Sequence, residues 1–311
     1  MTDLDFVTDL GPVWIDTDMG FDDLAAILMV LAHREVAGLS LVAGNTPLPQ
    51  VARNACAAAE CFGWTMPIHT GAAVPLSGEL VTADYVLGAD GMPGTGRKLP
   101  EPTTRAESGG VEALIAFLDA GGQEVLALGP LTNLARAIEA RPDHAGLRLV
   151  WMGGSAGAGN HTTAAEFNAA VDPEALALLI AAGVEVEMVD LVCCRQVTVT
   201  LDDVTPLRAI PGERAAILAD LLEGYVRIAD DGQRPMALYD PVAAAVLAAP
   251  GSVTFTPARL DMELKGSLTR GMTLVEWRAR KAAPNALVST GADAPRIRAL
   301  MTEALIRAAQ G

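Results

Sequence analysis

The feature that most constrains the fold is a unit that recurs along the chain. A short apolar run ends in a polar or glycine-rich turn, and a segment with helical periodicity follows. Val13–Asp16 leads through DTDMGFDD into Leu24–His33. Leu39–Ala43 leads through Gly44-Asn45 into Val51–Phe62, and Glu124–Leu128 leads through GPLTN into Leu134–Ala140. Leu147–Met152 ends in a glycine-rich loop, and Val184–Asp190 follows the helical stretch Pro173–Ala182. Short apolar runs bounded by such turns read as strands buried on both faces, and strands alternating with helices pair in parallel through crossovers. The pattern predicts an α/β fold: a doubly wound, mostly parallel sheet with helices on both faces. Ligands in such sheets sit beyond the carboxyl ends of the strands, and every polar cluster singled out below is expected there. With no internal repeat and no low-complexity linker, residues 1–311 are expected to form a single domain. The last segment, Pro295–Ala309, carries Ile297, Met301, Ala304 and Leu305 at helical spacing and reads as a packing helix.

Charge narrows the partners. The chain has 22 Lys+Arg against 38 Asp+Glu, a net charge of −16, which repels phosphate backbones and anionic lipid. Neither nucleic-acid nor membrane binding is expected. Its longest apolar runs, Leu24–Ala32 and Val242–Ala249, fall short of the ~20 residues of a membrane span. Met1–Leu10 has no basic region ahead of an apolar stretch, so no secretory signal is expected and a cytoplasmic location is. Cys56, Cys61, Cys193 and Cys194 form no C-x-x-C pair and read as small buried hydrophobes.

Chemistry concentrates after the first strand. Asp16, Asp18, Asp22 and Asp23 fall within eight residues, and no Lys or Arg precedes Arg34. Single aspartates at a helix start are ordinarily plain N-caps, but capping does not account for four. Neutralisation has to come from raised pKa values, a distant Arg, or a hard cation held by oxygen ligands. The placement favours a cation, because Gly20 permits a tight turn and the following helix begins at Asp22 and Asp23.

W-I-D-T-D-M-G-F-D-D resembles the D-x-D-x-G-x-D-D signature of the inosine-uridine preferring nucleoside hydrolases, which cleave the N-glycosidic bond of ribonucleosides to free base and ribose. Further motifs follow in the family's order: Gly44-Asn45, L-G-P-L-T-N at Leu128–Asn133, M-G-G at Met152–Gly154 and G-N-x-T-x-x-A-E-F-N at Gly159–Asn168. D-P-E-A at Asp172–Ala175, Y-D-P at Tyr239–Pro241 and T-R-G-M-T at Thr269–Thr273 extend the resemblance over most of the chain.

The resemblance implies a Ca²⁺ site of Asp18, Asp23, Asp240 and the Leu128 carbonyl, completed by water and the ribose 2′- and 3′-hydroxyls. It also implies that Asp22, Asn45 and Asn168 hold the ribose diol, and that Asn160 and Glu166 hold the 5′-hydroxyl end. Asp18 would take the proton of a Ca²⁺-bound water, and buried carboxylates would stabilise an oxocarbenium-like C1′. No covalent sugar intermediate is needed. Relatives assemble as dimers or tetramers, so a homo-oligomer is expected, with a role in nucleoside catabolism and purine salvage.

The leaving-group residues depart from the family pattern. Its best-known members carry His before the metal-binding Asp and another His after an early strand; here those positions read Tyr239 and Leu87. Tyr239 is expected to act on the base by stacking or through its hydroxyl, with Tyr85 and Tyr225 as further base neighbours. His161, beside Asn160, can in principle protonate the base, although an exposed loop His is ordinarily only solvated. His33, His69 and His144 stand alone, and Trp14 and Trp151 read as core. The glycines from Gly153 to Gly159 lack a P-loop Lys and do not suggest a nucleotide cofactor. Two other readings compete. One is a nucleoside-binding homologue without catalysis. The other is a Mg²⁺-dependent haloacid-dehalogenase-like phosphatase, which leaves Asp22-Asp23 and the Asn/Glu cluster unexplained.

Overall fold

A computed structural model of the chain describes residues 11–311; the reading of Met1–Leu10 lies outside the described residues. In chain order the first elements are β1 (Val13–Thr17), α1 (Phe21–Leu31), β2 (Val36–Leu41), α2 (Leu48–Phe62) and β3 (Ile68–Thr70). A long connection carrying the short helix α3 (Asp84–Leu87) reaches β4 (Glu107–Ser108), α4 (Gly110–Asp119), β5 (Glu124–Ala127), α5 (Thr132–Ala140) and β6 (Arg148–Met152). After a glycine-rich loop come α6 (Phe167–Val171), α7 (Pro173–Ala182), β7 (Val186–Val189) and α8 (Leu191–Cys194). Then follow β8 (Thr198–Val199), α9 (Thr205–Arg208), α10 (Glu213–Arg227), β9 (Met236–Ala237) and α11 (Asp240–Ala248). The chain closes with β10 (Val253–Met262), β11 (Thr273–Glu276), β12 (Ala286–Ala292) and α12 (Ala294–Gln310).

Among the described residues, ten strands form one sheet in the order β11-β10-β12-β7-β6-β5-β1-β2-β3-β4. From β12 to β4 all neighbours are parallel, and β10 and β11 add an antiparallel edge. The chain winds outward from β1 through β2, β3 and β4, then returns to the other side of β1 and winds outward again through β5, β6 and β7. This is the expected doubly wound α/β sheet, with its topological switch point between β1 and β5. That point is where such folds open a ligand crevice.

Alternation along each strand builds two cores. Val13, Ile15, Leu126 and Val150 face one side, beneath α1, α10, α11 and α12. Trp14, Val125, Ala127, Leu149 and Trp151 face the other, beneath α4, α5 and α7. Both tryptophans are core, as expected, and each buried indole N–H is partnered: Trp14 donates to Ser40 Oγ at 2.9 Å and Trp151 to the Gly129 carbonyl at 3.1 Å. α1 is apolar almost all round because α11 and α12 pack over the surface it turns away from the sheet. Cys56, Cys193 and Cys194 are buried and Cys61 half-buried, all four unpaired. Among the described residues no helix is long and apolar enough to cross a membrane.

α1 starts at Phe21, ahead of the run Leu24–His33, so Asp22 and Asp23 lie in its first turn, as expected of the helix start. One expectation needs correction. Tyr239 and Asp240 do not follow a strand of the main sheet. They come from the separate antiparallel pair β8–β9, which delivers them to the start of α11. A remote ribbon thus reaches over the crevice and supplies what strand ends alone do not.

Candidate active site

The turn between β1 and α1 is held by its own polar side chains. Thr17 Oγ1 donates to Asp23, the Met19 N–H donates to Thr17 Oγ1 at 3.0 Å, and the Gly20 N–H donates to Asp23 Oδ2 at 2.8 Å. Met19 takes a positive φ of 51°, uncommon outside glycine, and these bonds fix the turn around it. Asp23 therefore caps α1 from within while its carboxylate joins the acidic cluster behind the crevice. Behind the turn, fully buried Asp16 accepts from Ser40 Oγ and from Asn133 Nδ2 at 2.7 Å, tying β1 to β2 and α5.

Asp18, at the end of β1, is spanned by the residue that follows β2. The Asn45 backbone N–H donates to Oδ2 at 2.7 Å, and Asn45 Nδ2 donates to Oδ1 at 3.0 Å. Gly44 makes this possible: a Cβ there would lie 2.1 Å from Asp18 Oδ2. Asp22, Asp23 and Asp240 each bring a carboxylate oxygen to a common point, all within 4.8 Å of one another. The geometry thus gathers Asp22 with Asp23 and Asp240, while Asp18 stands beside them under the Asn45 clamp.

Across the switch point, the Leu128 carbonyl accepts from Asn168 Nδ2 at 3.0 Å, and the same amide donates to the Met152 carbonyl at 3.0 Å. Buried Glu166 caps α6, accepting from the N–H groups of Asn168, Gly154 and Ala169 at 2.9, 2.8 and 3.1 Å. Asn160 is exposed and its Oδ1 accepts the Phe167 N–H at 2.9 Å. These contacts give Glu166 and Asn160 structural duties the sequence did not reveal.

The carboxylates are electrostatically uncomfortable. Burial pushes Asp22, Asp16 and Glu166 up to about 7 each, against partial relief from hydrogen bonds. Burial, and after it repulsion from Asp23, holds Asp18 and Asp240 well above the ordinary carboxylate range. No Lys or Arg lines the crevice, which has a volume of about 210 Å³. Oxygen-only donors around a common point with no basic partner suit a hard cation such as Ca²⁺.

All ten expected site residues but Asp23 line this one crevice, and Asp23 stands behind it in the carboxylate cluster. Leu87 and Tyr85 reach it from α3, and Tyr225 from α10, where its hydroxyl donates to the Ala237 carbonyl at 2.8 Å. Phe167, from the motif Gly159–Asn168, joins Ile228 and Met236 in an apolar wall, and the last two carry no sequence signal. His161 also lines the crevice. It is half-buried rather than exposed as expected, packed edge-on against Phe167 at 5.6 Å.

The inosine-uridine preferring nucleoside hydrolase family model matches residues 13–299. The chain belongs to that family. This nucleoside hydrolase is 35% identical over 276 residues to the pyrimidine-specific ribonucleoside hydrolase RihA of Shewanella woodyi, covering 85% of this chain and 88% of that protein. It is 33% identical over 294 residues to RihA of Escherichia coli, covering 91% and 94%. Among solved structures it is similar to a purine-preferring ribonucleoside hydrolase from Gardnerella vaginalis, with a TM-score of 0.87 and 25% identity over 96% of this chain and 99% of that one. An inosine-guanosine nucleoside hydrolase gives a TM-score of 0.85 at 25% identity, covering 95% and 98%. The phosphatase alternative loses its footing, because no lysine lines the nucleoside hydrolase crevice.

Proposed function

We propose that the protein is a Ca²⁺-dependent hydrolase of ribonucleosides, acting as one domain in a cytoplasmic homo-oligomer of two or four copies that serves nucleoside catabolism and purine salvage. The observation that carries the reading is the convergence of Asp22, Asp23 and Asp240 within 4.8 Å beside a clamped Asp18, with no base to neutralise them.

Asp18, Asp23, Asp240 and the Leu128 carbonyl are the residues that would hold Ca²⁺, with Asp22 at its flank. When bound, the ion supplies Lewis acidity toward water and an anchor for vicinal hydroxyls. Asp22, Asn45 and Asn168 hold the ribose diol, and Asn160 and Glu166 hold the 5′-hydroxyl end, because hydroxyls present both donors and acceptors that carboxylate and amide groups can match. Asp18, kept in one orientation by Asn45, takes the proton of the attacking water as its oxygen bonds to C1′. The C1′–N bond breaks, its electron pair leaves with the base, and the surrounding carboxylates stabilise the positive charge growing on the sugar. Tyr239 packs on the base and excludes water.

A panel of purine and pyrimidine ribonucleosides and their 2′-deoxy counterparts, assayed for free base and reducing sugar, tests this reading. Both base classes belong in the panel because relatives of both preferences resemble the chain. Ribonucleosides should be cleaved, chelation should abolish turnover and added Ca²⁺ should restore it. The deoxy substrates should be poorer by ~10⁴-fold, because a site built for a hydroxyl is left with unpaired polar groups. Comparable kcat/KM for inosine and 2′-deoxyinosine would contradict the roles of Asp22 and Asn168, and full turnover after chelation would remove the metal.

A further inference from the structure

Base departure needs a proton, and the residues that supply it in better-known relatives are absent here. As the C1′–N bond breaks, its electron pair returns to the base nitrogen, which must be protonated unless the base leaves as an anion. Apart from the carboxylates already assigned to the ion, the water and the sugar, the crevice side chains that carry a transferable proton are Tyr85, Tyr225, Tyr239 and His161. A phenol, with an ordinary pKa of about 10, is poorly matched to give up a proton near neutrality. Tyr225 is also engaged with the Ala237 carbonyl, and Tyr85 is 68% exposed on the outer rim.

His161 differs from all three. It is the one imidazole among the crevice-lining residues. Its companions lie elsewhere: His33 bonds the Met29 carbonyl, His69 stacks on Trp14 and His144 pairs with Asp119. The ring of His161 is fixed edge-on against Phe167, itself a wall of the crevice, with an interplanar angle of 73°. Its loop is pinned, the N–H groups of Asn160 and His161 converging on the Ala165 carbonyl at 3.3 and 3.2 Å. Within this fixed setting Nδ1 is buried and has no protein partner. A buried nitrogen without a partner is costly, so packing alone does not account for this ring.

We propose that His161 is the general acid of this hydrolase, donating its proton to the departing base; this rests on the hydrolase reading above. The imidazolium gives one proton to the base and is recharged from solvent, while Asp18 accepts the proton lost by water and releases it to solvent, so the reaction balances as nucleoside plus water to base plus ribose.

The test compares inosine with p-nitrophenyl riboside, whose leaving group departs without a proton, in the wild-type enzyme, His161→Ala and His161→Gln. Both variants should lose ~10²-fold or more in kcat on inosine while keeping wild-type turnover of p-nitrophenyl riboside. Equal losses on both substrates would overturn the proposal in favour of sugar positioning. Recovery of inosine turnover by His161→Gln would overturn it too, because Gln keeps a hydrogen-bond donor but gives up no proton. Unchanged inosine turnover in His161→Ala would likewise end it. A wild-type enzyme inactive on both substrates would instead mark failure of the hydrolase reading, and the acid role would fall with it.

Discussion

Gly44→Ala isolates the clamp on Asp18 from the chemistry of Asp18 itself. Gly44 does not occupy a positive φ, so alanine can adopt its backbone without strain. The added methyl, however, would lie 2.1 Å from Asp18 Oδ2 and 2.9 Å from Pro130 Cδ. Pro130 is rigid, so the carboxylate yields, and it must retreat by about 1.3 Å to reach the ordinary contact distance of 3.4 Å. That movement breaks the 2.7 Å bond from the Asn45 N–H and misaligns the 3.0 Å bond from Nδ2. A displacement of ~1 Å at a reacting group costs ~10²-fold in rate, or about 2.7 kcal/mol of barrier. The assay is kcat/KM on a ribonucleoside beside a thermal unfolding midpoint. Gly146→Ala serves as the control, because nothing lies within 4 Å of its Cβ. The expected outcome is a ~10²-fold loss of kcat/KM with the fold intact. A Gly44→Ala enzyme as active as the Gly146→Ala control would refute both the clamp and the assignment of Asp18 as the proton acceptor.

Two further substitutions separate binding from chemistry. Asp18→Asn keeps an oxygen ligand but removes the base, so calorimetric Ca²⁺ binding should persist while kcat collapses, whereas Asp240→Ala should lose the ion as well; near-normal kcat in a metal-loaded Asp18→Asn enzyme would refute the base role. Tyr239 should act by packing, since burial pushes its hydroxyl up to about 12 and further from useful acidity. Tyr239→Phe should therefore be mild, and Tyr239→Ala should lose the ~0.5–1.5 kcal/mol of an aromatic contact, while a Tyr239→Phe loss as deep as that of Ala would return the acid role to the phenol.

The sheet was legible because parallel strands buried on both faces leave continuous apolar runs, and the turns between runs carry the residues that act. Val13–Asp16 and Glu124–Leu128 announced β1 and β5, and with them the two walls of the switch point. Spacing could not show which carboxylates meet. Asp22 and Asp240 are separated by most of the chain, and only the β8–β9 ribbon brings them together. Nor could it show that Glu166 is occupied by three backbone N–H groups, because a Glu before a helix reads equally as a cap or as a ligand to substrate. The partial burial of His161 was out of reach for a related reason. A loop histidine looks exposed in sequence, and its burial depends on Phe167 six residues on, folding back against it.

The acidic cluster also explains why this crevice needs a partner. Asp22 and Asp23 lie in the first turn of α1 and Asp240 in the first turn of α11, where the helix N-termini favour negative charge. That field is modest, typically ~0.3–1 kcal/mol per group, and the upward shifts at Asp18, Asp22 and Asp240 mean that burial and mutual repulsion exceed it. With no basic side chain in the crevice, the charge is relieved either by protons or by a cation, and both compete for the same oxygens. Proton uptake would silence Asp18 as a base, whereas a cation leaves it ionised and ready. The packing that makes these carboxylates costly on their own is therefore, in the proposed reaction, the same packing that would select a small hard ion and a hydroxyl-bearing sugar.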